Sequence, residues 1–134
     1  MLVIGRRKHA CADAEILEDN DFPAGDRPQK VPKHAFNVWM KYEIQDGPLR
    51  GLGLGIGGRW YSDQAADLPN TFDLPAYGIL DLAVFYTRGP WRLQANVNNV
   101  LDKRYFPAAY SRDYVLPGEP LNVFASLTWR FAAK

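Results

Sequence analysis

Alternation between apolar and polar residues constrains the fold of this chain more than any other feature. In the stretch 91–98, Leu93, Ala95 and Val97 alternate with polar side chains. Successive side chains of a β-strand point to opposite faces, so this period of two predicts a strand with one apolar and one polar face. A shorter and weaker pattern predicts another strand at His9–Ile16. The same period of two recurs in four more stretches, at residues 33–44, 51–60, 76–87 and 121–131.

The connections between these strands alternate in length. Tight turns are predicted at residues 45–48 and 88–90, which read QDGP and RGP. Long loops with several prolines, glycines or acidic residues are predicted at 17–32, 62–75 and 102–120. Tight turns at one end and long loops at the other are typical of an all-β, up-and-down antiparallel barrel in a membrane. A soluble sandwich would usually mix other connections, with loops of similar length at both ends.

The predicted strand at 51–60 has glycines on its polar parity, at positions 51, 53, 55 and 57. Glycine inside a strand lowers stability and often marks a close approach or a bend. Three interpretations stay open on the sequence alone. Another group packs closely against this face, the strand bends there, or the glycines have no special role.

Aromatic side chains on the apolar parity collect near the strand ends. Phe36 and Trp60 lie near the long-loop end, whereas mid-strand positions such as Leu82 and Val97 are aliphatic. Aromatic belts around an aliphatic band are typical of a lipid-facing surface. The alternative is that these rings plug the ends of a soluble core. The aromatics near the tight-turn end are Tyr42, Tyr86, Trp91, Trp129 and Phe131.

Composition argues against several other functions. The net charge of +1 gives no indication of nucleic acid binding, and one cysteine with two scattered histidines predicts neither an internal disulfide nor a metal site. The sequence contains no run of about 18 apolar residues, so no membrane helix is predicted. The mean hydropathy of −0.31 does not separate lipid from water, because lumen-facing polar residues offset lipid-facing ones in a barrel. No catalytic constellation is found, so we expect neither an enzyme nor a cofactor.

Four stretches carry recognisable motifs. LQANVNNVLDKRYF at residues 93–106 has an N-x-x-[DN]-x-x-Y-like segment, and GEPLNVFASLTWRF at 118–131 has a Gly-Glu-Pro before a last strand that ends in aromatic-Arg-Phe. LPAYGILDLAVFY at 74–86 has a Pro-x-Tyr-x-x-x-Asp strand, and residues 22–43 form a loop and strand before it. Together these stretches resemble the C-terminal end of TonB-dependent outer-membrane siderophore receptors, above all the ferric-hydroxamate, ferrichrome-type group.

The resemblance implies a fold and a setting. Complete receptors have roughly 22 strands around a plug, and this chain is expected to supply about six of them. Residues 9–131 are the expected partial barrel, residues 1–8 an atypical N-terminal segment and residues 132–134 a C-terminal extension. No plug domain, TonB box or secretion signal is recognised in the sequence, so we expect a fragment that cannot transport alone. The implied location is the outer membrane, with the long loops outside and the tight turns and C-terminus in the periplasm.

Partners and site residues also follow from the resemblance. The implied partners are membrane lipid, a ferric siderophore, the barrel-assembly machinery, and the TonB system only through a missing N-terminal part. Loop aromatics either contact the ferric siderophore or pack the loop against the barrel rim: Tyr105, Phe106, Tyr110 and Tyr114. Residues of the family pattern are expected to tie the strand end to the loop: Asn98, Asn99, Asp102, Tyr105, Gly118, Glu119 and Pro120. Trp129 and Phe131 are the expected assembly signal.

A different class of function stays open beside this one. A soluble antiparallel β-sheet binding module would also carry one polar and one apolar face, and its polar face would be an ordinary solvated surface. The two alternatives differ in the solvent that the apolar face meets, and therefore in whether the protein depends on detergent.

Overall fold

A computed structural model of the chain describes residues 2–3, 7–11, 16–17, 25–68 and 70–131. Within these ranges the regular structure consists of β-strands paired antiparallel. Nowhere in the described part of the chain is there a helix with the length and apolarity needed to span a membrane. The strands are β1 (Leu2–Val3), β2 (Arg7–Cys11), β3 (His34–Glu43), β4 (Leu52–Tyr61), β5 (Gln64–Ala65), β6 (Asp73–Leu74), β7 (Tyr77–Arg88), β8 (Trp91–Asn98), β9 (Ala108–Ser111), β10 (Tyr114–Leu116) and β11 (Asn122–Trp129).

One large sheet contains seven of these strands, in the order β1-β3-β4-β7-β8-β11, with β2 also paired to β3. Val3 lies opposite Lys41 and Arg7 lies opposite Val38, so β1 and β2 share the edge position beside β3. The sheet therefore has six strand positions, each antiparallel to the next. Because six is an even number, its two edge strands run in opposite directions. The predicted all-β, up-and-down sheet of about six strands is confirmed.

The N-terminal edge strand differs from its sequence prediction. A strand was expected at His9–Ile16, but β2 ends at Cys11, and residues 12–15 lie outside the described ranges. Ile16 is not in a strand; its backbone N–H donates to the carbonyl of Asp26 at 2.9 Å. Residues 2–3 and 7–8 of the segment expected to be atypical pair with β3 instead. Pairing with a long neighbour, rather than local alternation, determines where this edge strand lies.

The connections follow the predicted alternation with two differences. Gly89 and Pro90 form the tight turn between β7 and β8, and Gly89 has a φ of +56°. The connection between β3 and β4 covers residues 44–51 and is longer than the predicted turn at 45–48; the N–H of Gly51 donates to the carbonyl of Ile44. Two long loops contain small hairpins that were not predicted, β5 with β6 and β9 with β10.

Candidate functional site

The apolar side chains form one continuous outer face across the sheet. Met40 pairs with Ile56, Ile56 with Leu82, Leu82 with Val97, and Val97 with Val123, which makes one row across five strands. These side chains meet little of the chain itself: Met40 is 40% exposed, Ile56 39% and Val123 61%. An apolar face of this extent requires either an apolar partner or an apolar solvent such as lipid.

Aromatic rings lie at both ends of the outer face. At the tight-turn end Trp91 pairs with Trp129, with ring centroids 3.9 Å apart, and Trp129 stacks on Phe131. At the long-loop end Phe36 pairs with Trp60. The rows between them carry mainly aliphatic side chains. The aromatic belts expected from the sequence therefore lie on one face in the folded sheet.

The glycines of β4 lie on the opposite, inner face, where aromatic rings cover them. A side chain at Gly55 or Gly57 would overlap the indole of Trp39 from the neighbouring strand β3. At Gly53 it would overlap the ring of Phe85 from β7. Of the three interpretations left open by the sequence, close packing against this face is correct. These positions are buried under rings from both neighbouring strands.

Charged and amide side chains surround those rings on the inner face. The Lys41 ammonium lies 4.2 Å from the centre of the Phe85 ring and 2.8 Å from the Glu43 carboxylate. Along β8, Arg92 donates to Gln94 and Gln94 donates to Asn96, at 3.2 and 3.0 Å. Satisfied polar groups of this kind suit a wet lumen or a polar partner better than a dry core.

The family-pattern residues meet where β8 ends and the third long loop begins. Asn99 is 2% exposed and left-handed, with a φ of +50°. Its side-chain amide donates to the carbonyls of Lys103 and Glu119, and its side-chain oxygen accepts the N–H of Lys103. Its backbone N–H donates to a carboxylate oxygen of Asp81 at 3.0 Å. One buried side chain therefore joins the two ends of the loop.

The other pattern residues close the base of the same loop. Asp102, also left-handed at a φ of +46°, accepts the N–H of Leu121 at 3.0 Å. A side chain at Gly118 would overlap the Tyr105 ring, and the Gly118 N–H donates to the Tyr105 carbonyl. The Asn122 side chain contacts three other residues. It accepts a hydrogen bond from the Asn98 side-chain amide and donates to the Glu119 carboxylate and to the backbone carbonyl of Pro120. The pattern residues therefore contact one another at the base of the loop, and their structural role stays a prediction.

The described parts of the three long loops pack into one unit, which we call the loop cap (residues 25–33, 62–76 and 99–121). Arg27 forms ion pairs with Asp73 at 3.0 Å and Asp63 at 3.7 Å. Arg27 and Asn70 exchange two hydrogen bonds between backbone and side chain. Apolar residues of the two hairpins bury each other beneath these polar contacts: Ala66, Leu74 and Ala109, with Phe72 and Val115 beside them.

Lys30 joins the first loop of the cap to the other two. It is left-handed at a φ of +66°, and its N–H donates to the Ala65 carbonyl. Its ammonium lies 3.7 Å from the centre of the Tyr110 ring. Within the second loop, the hydroxyl and the backbone N–H of Thr71 donate to the Asp67 carboxylate. These hydrogen bonds, above all the one from the hydroxyl, lower the pKa of Asp67. The described loops therefore hold one another through hydrogen bonds, ion pairs and a cation–π contact.

The structure gives the four candidate ligand-contact aromatics different surroundings. Tyr105 stacks on Tyr77 with centroids 4.7 Å apart, and so packs the loop base against the strand end. Tyr110 and Tyr114 lie on the two strands of the β9–β10 hairpin, with centroids 5.7 Å apart, and are 62% and 60% exposed. Phe106 lies between Tyr105 and Tyr110 in sequence and is 39% exposed.

Sequence reasoning did not find the contacts between loops or the bond from Asp81 to Asn99. Arg27 and Lys30 look like ordinary loop charges in the sequence. Their partners lie about 35 to 80 residues away along the chain, beyond the reach of any local pattern. His9 and His34, which looked isolated, stack with centroids 6.3 Å apart. Among the described residues, no group of three or more His, Cys, Asp or Glu side chains is arranged to hold a metal ion.

Comparison with known proteins identifies the family of this sheet. Residues 9–100 match the sequence profile described as TonB dependent receptor-like, beta-barrel. A metal-pseudopaline receptor of Pseudomonas aeruginosa is 36% identical over 125 residues, which are 92% of this chain and 18% of that protein. The ferrioxamine B receptor of Salmonella typhimurium is 35% identical over 112 residues, 80% of this chain and 16% of that protein.

Solved structures give the same result. The siderophore receptor PiuA of Acinetobacter baumannii matches with a TM-score of 0.68 and 30% identity, over 79% of this chain and 15% of that chain. The chain thus spans less than a fifth of the length of these relatives. They are receptors, which confirms the expectation that the chain is not an enzyme. The chain belongs to the TonB-dependent receptor family and corresponds to the C-terminal barrel part of its siderophore receptors.

Proposed function

We propose that this chain supplies six strand positions of wall and three outer loops to a receptor that takes up ferric siderophores through the outer membrane. One observation carries the proposal: the row from Met40 to Val123 is apolar and partly to largely exposed on one face, while the opposite face holds satisfied charges and amides. A wall between lipid and a wet lumen needs this arrangement. A soluble binding module would leave the apolar row in water, which disfavours that alternative.

The proposed ligand contacts are Tyr110 and Tyr114, with Phe106 beside them. Their rings are the exposed aromatics of the loop cap, and they lie at the end of the sheet away from the tight turns. Exposed, paired rings on a supported hairpin can cover a bulky chelate with little loss of side-chain freedom. For Tyr105 we propose the rim-packing role instead, because its ring is stacked on Tyr77 and covers Gly118.

The proposed setting follows the family. The complete barrel has roughly 22 strands, with the long loops outside the cell and the tight turns in the periplasm. Residues 9–131 belong to that barrel, residues 2–3 and 7–8 extend its first edge strand, and residues 132–134 follow the last strand in sequence. Energy from TonB enters through a part of the receptor that these strands do not include. The barrel-assembly machinery recognises the end of the last strand, around Trp129 and Phe131.

A chimeric receptor tests the proposed function. The ferrichrome transporter of Escherichia coli is 33% identical to this chain over 124 residues, which are 89% of this chain and 16% of that protein. We expect the transporter with this chain in place of its matching segment to reach the cell surface and to bind a ferric siderophore, with ferrichrome and ferrioxamine B as the probes. A chimera that assembles at the surface but binds neither probe would contradict the ligand role of these loops.

Cysteine labelling in the same chimera tests the orientation. Cys11 is first replaced by serine, so that each variant has one thiol within the segment. We expect Ser111→Cys, on the exposed hairpin, to react with a membrane-impermeant maleimide on intact cells, and Gly89→Cys in the tight turn to react only after the cells are opened. Labelling of Gly89→Cys on intact cells would reverse the proposed topology.

A further inference from the structure

Asp81 lies on the inner face of β7, where its carboxylate joins two parts of the molecule. Its two oxygens accept hydrogen bonds from the guanidinium of Arg59 on the neighbouring strand β4, and the shortest nitrogen–oxygen distance is 3.1 Å. One of them also accepts the backbone N–H of Asn99 at 3.0 Å. The Asp81 side chain is only 16% exposed, while its partner Arg59 remains 42% exposed. A carboxylate this well covered is held in place by both bonds.

Asn99 passes this fixed point on to the third long loop. It is the buried residue whose side chain binds the carbonyls of Lys103 and Glu119, the two ends of that loop. Its left-handed backbone is a conformation that asparagine adopts more readily than most residues, and the hydrogen bonds around it give it further support. The Asp81 carboxylate supplies part of that support from a neighbouring strand. The wall of the barrel is therefore one hydrogen bond away from the base of the hairpin that carries Tyr110 and Tyr114.

We propose that Asp81 is a positioning residue for ligand binding: it holds the base of the third loop through Asn99 and so sets where the β9–β10 hairpin presents its tyrosines. Arg59 orients the Asp81 carboxylate from the lumen side, so the loop base and the lumen face share this one group. The inference rests on the proposed function, because it assigns Asp81 an effect on a ligand that these loops contact.

The experiment uses the chimeric ferrichrome receptor with Cys11→Ser and a spin label at Ser111→Cys. Three quantities are measured for each variant: the amount at the cell surface, the mobility of the label, and the Kd for ferrichrome in detergent. We expect Asp81→Ala to increase label mobility and to raise the Kd about tenfold, because a hydrogen bond to a charged group is lost. Asp81→Asn keeps an acceptor oxygen for the Asn99 N–H, so both values should return to within about twofold of the parent.

Two further variants make the result decisive. Gln94→Ala is the matched control, because it removes polar bonds from the same inner face without contacting the loop base, and should change neither mobility nor Kd. Asp81→Ser replaces Asp81→Ala if the latter does not assemble, since a serine stays polar but is too short to keep the bond to Asn99. Unchanged mobility and Kd in the assembled Asp81 variant, or equal changes in Gln94→Ala, would overturn the proposal. If the parent chimera binds neither ferrichrome nor ferrioxamine B, the proposed function fails, and label mobility alone decides the role of Asp81.

Discussion

Gly57 and Gly58 are consecutive residues of β4 whose missing side chains have very different surroundings. At Gly57, on the inner face, an added Cβ would overlap the Trp39 indole. At Gly58, on the outer face, it would meet only a methyl carbon of Val38 at 3.5 Å, an ordinary contact. The alternating glycines of β4 are thus required by the rings above them, while Gly58 is not required in this way.

This difference gives a prediction at the scale of single residues. In the chimeric receptor, Gly57→Ala should lower the free energy of unfolding by about 1–3 kcal/mol, the usual cost of overpacking. Gly58→Ala should leave it unchanged or raise it slightly, because alanine restricts the unfolded chain. The measurement is the urea midpoint of each purified variant in detergent. An unchanged midpoint for Gly57→Ala would show that the Trp39 ring moves aside without cost and would contradict the prediction.

At the scale of whole strands, the two faces should respond differently to substitution. Leu82→Arg or Val97→Arg places a charge in the middle of the apolar row and should cost about 2–4 kcal/mol at the bilayer midplane. Arg92→Ala and Gln94→Ala remove part-buried polar contacts from the inner face without placing a charge in lipid, and should be mild. Surface amount after outer-membrane fractionation measures the effect. Similar losses in both pairs would contradict the lipid-facing assignment of the row.

The sequence predicted the elements that depend on a period of two. The faces of β3, β4, β7, β8 and β11 follow from alternation alone, because a one-residue shift in register would exchange the two faces. The loop cap could not be predicted in this way. Its hairpins are short, and the partners of Arg27 and Lys30 become neighbours only after the sheet has formed. The bond between Asp81 and Asn99 was missed for the same reason.

At the scale of the whole molecule, the sheet formed by the described residues has two open edges. Among the described strands β11 pairs only with β8, and β1 and β2 pair only with β3. Six positions are too few to close around a lumen, since small membrane barrels need about eight. In lipid, each unpaired backbone group on an open edge costs several kcal/mol. In water, the same edges and the exposed apolar face favour association with other chains.

We therefore expect the 134-residue chain, expressed alone, to form inclusion bodies or β-rich oligomers rather than a transport-competent receptor. It should not restore siderophore-dependent growth to a cell that lacks its receptor. Size-exclusion chromatography and circular dichroism in detergent-free buffer check the first expectation. A monomeric peak with cooperative unfolding would show that the chain is a self-sufficient soluble domain and would favour the binding-module alternative.

The even number of strand positions has a consequence for how such barrels change in evolution or in the laboratory. A block with antiparallel edges can be inserted into an up-and-down barrel, or removed from it, without reversing the direction of any remaining strand. The circumference changes, but all the remaining loops stay on their own side of the membrane. A block with an odd number of positions would invert everything that follows it. We therefore expect a block of six positions such as this sheet to be exchangeable between up-and-down barrels of different circumference.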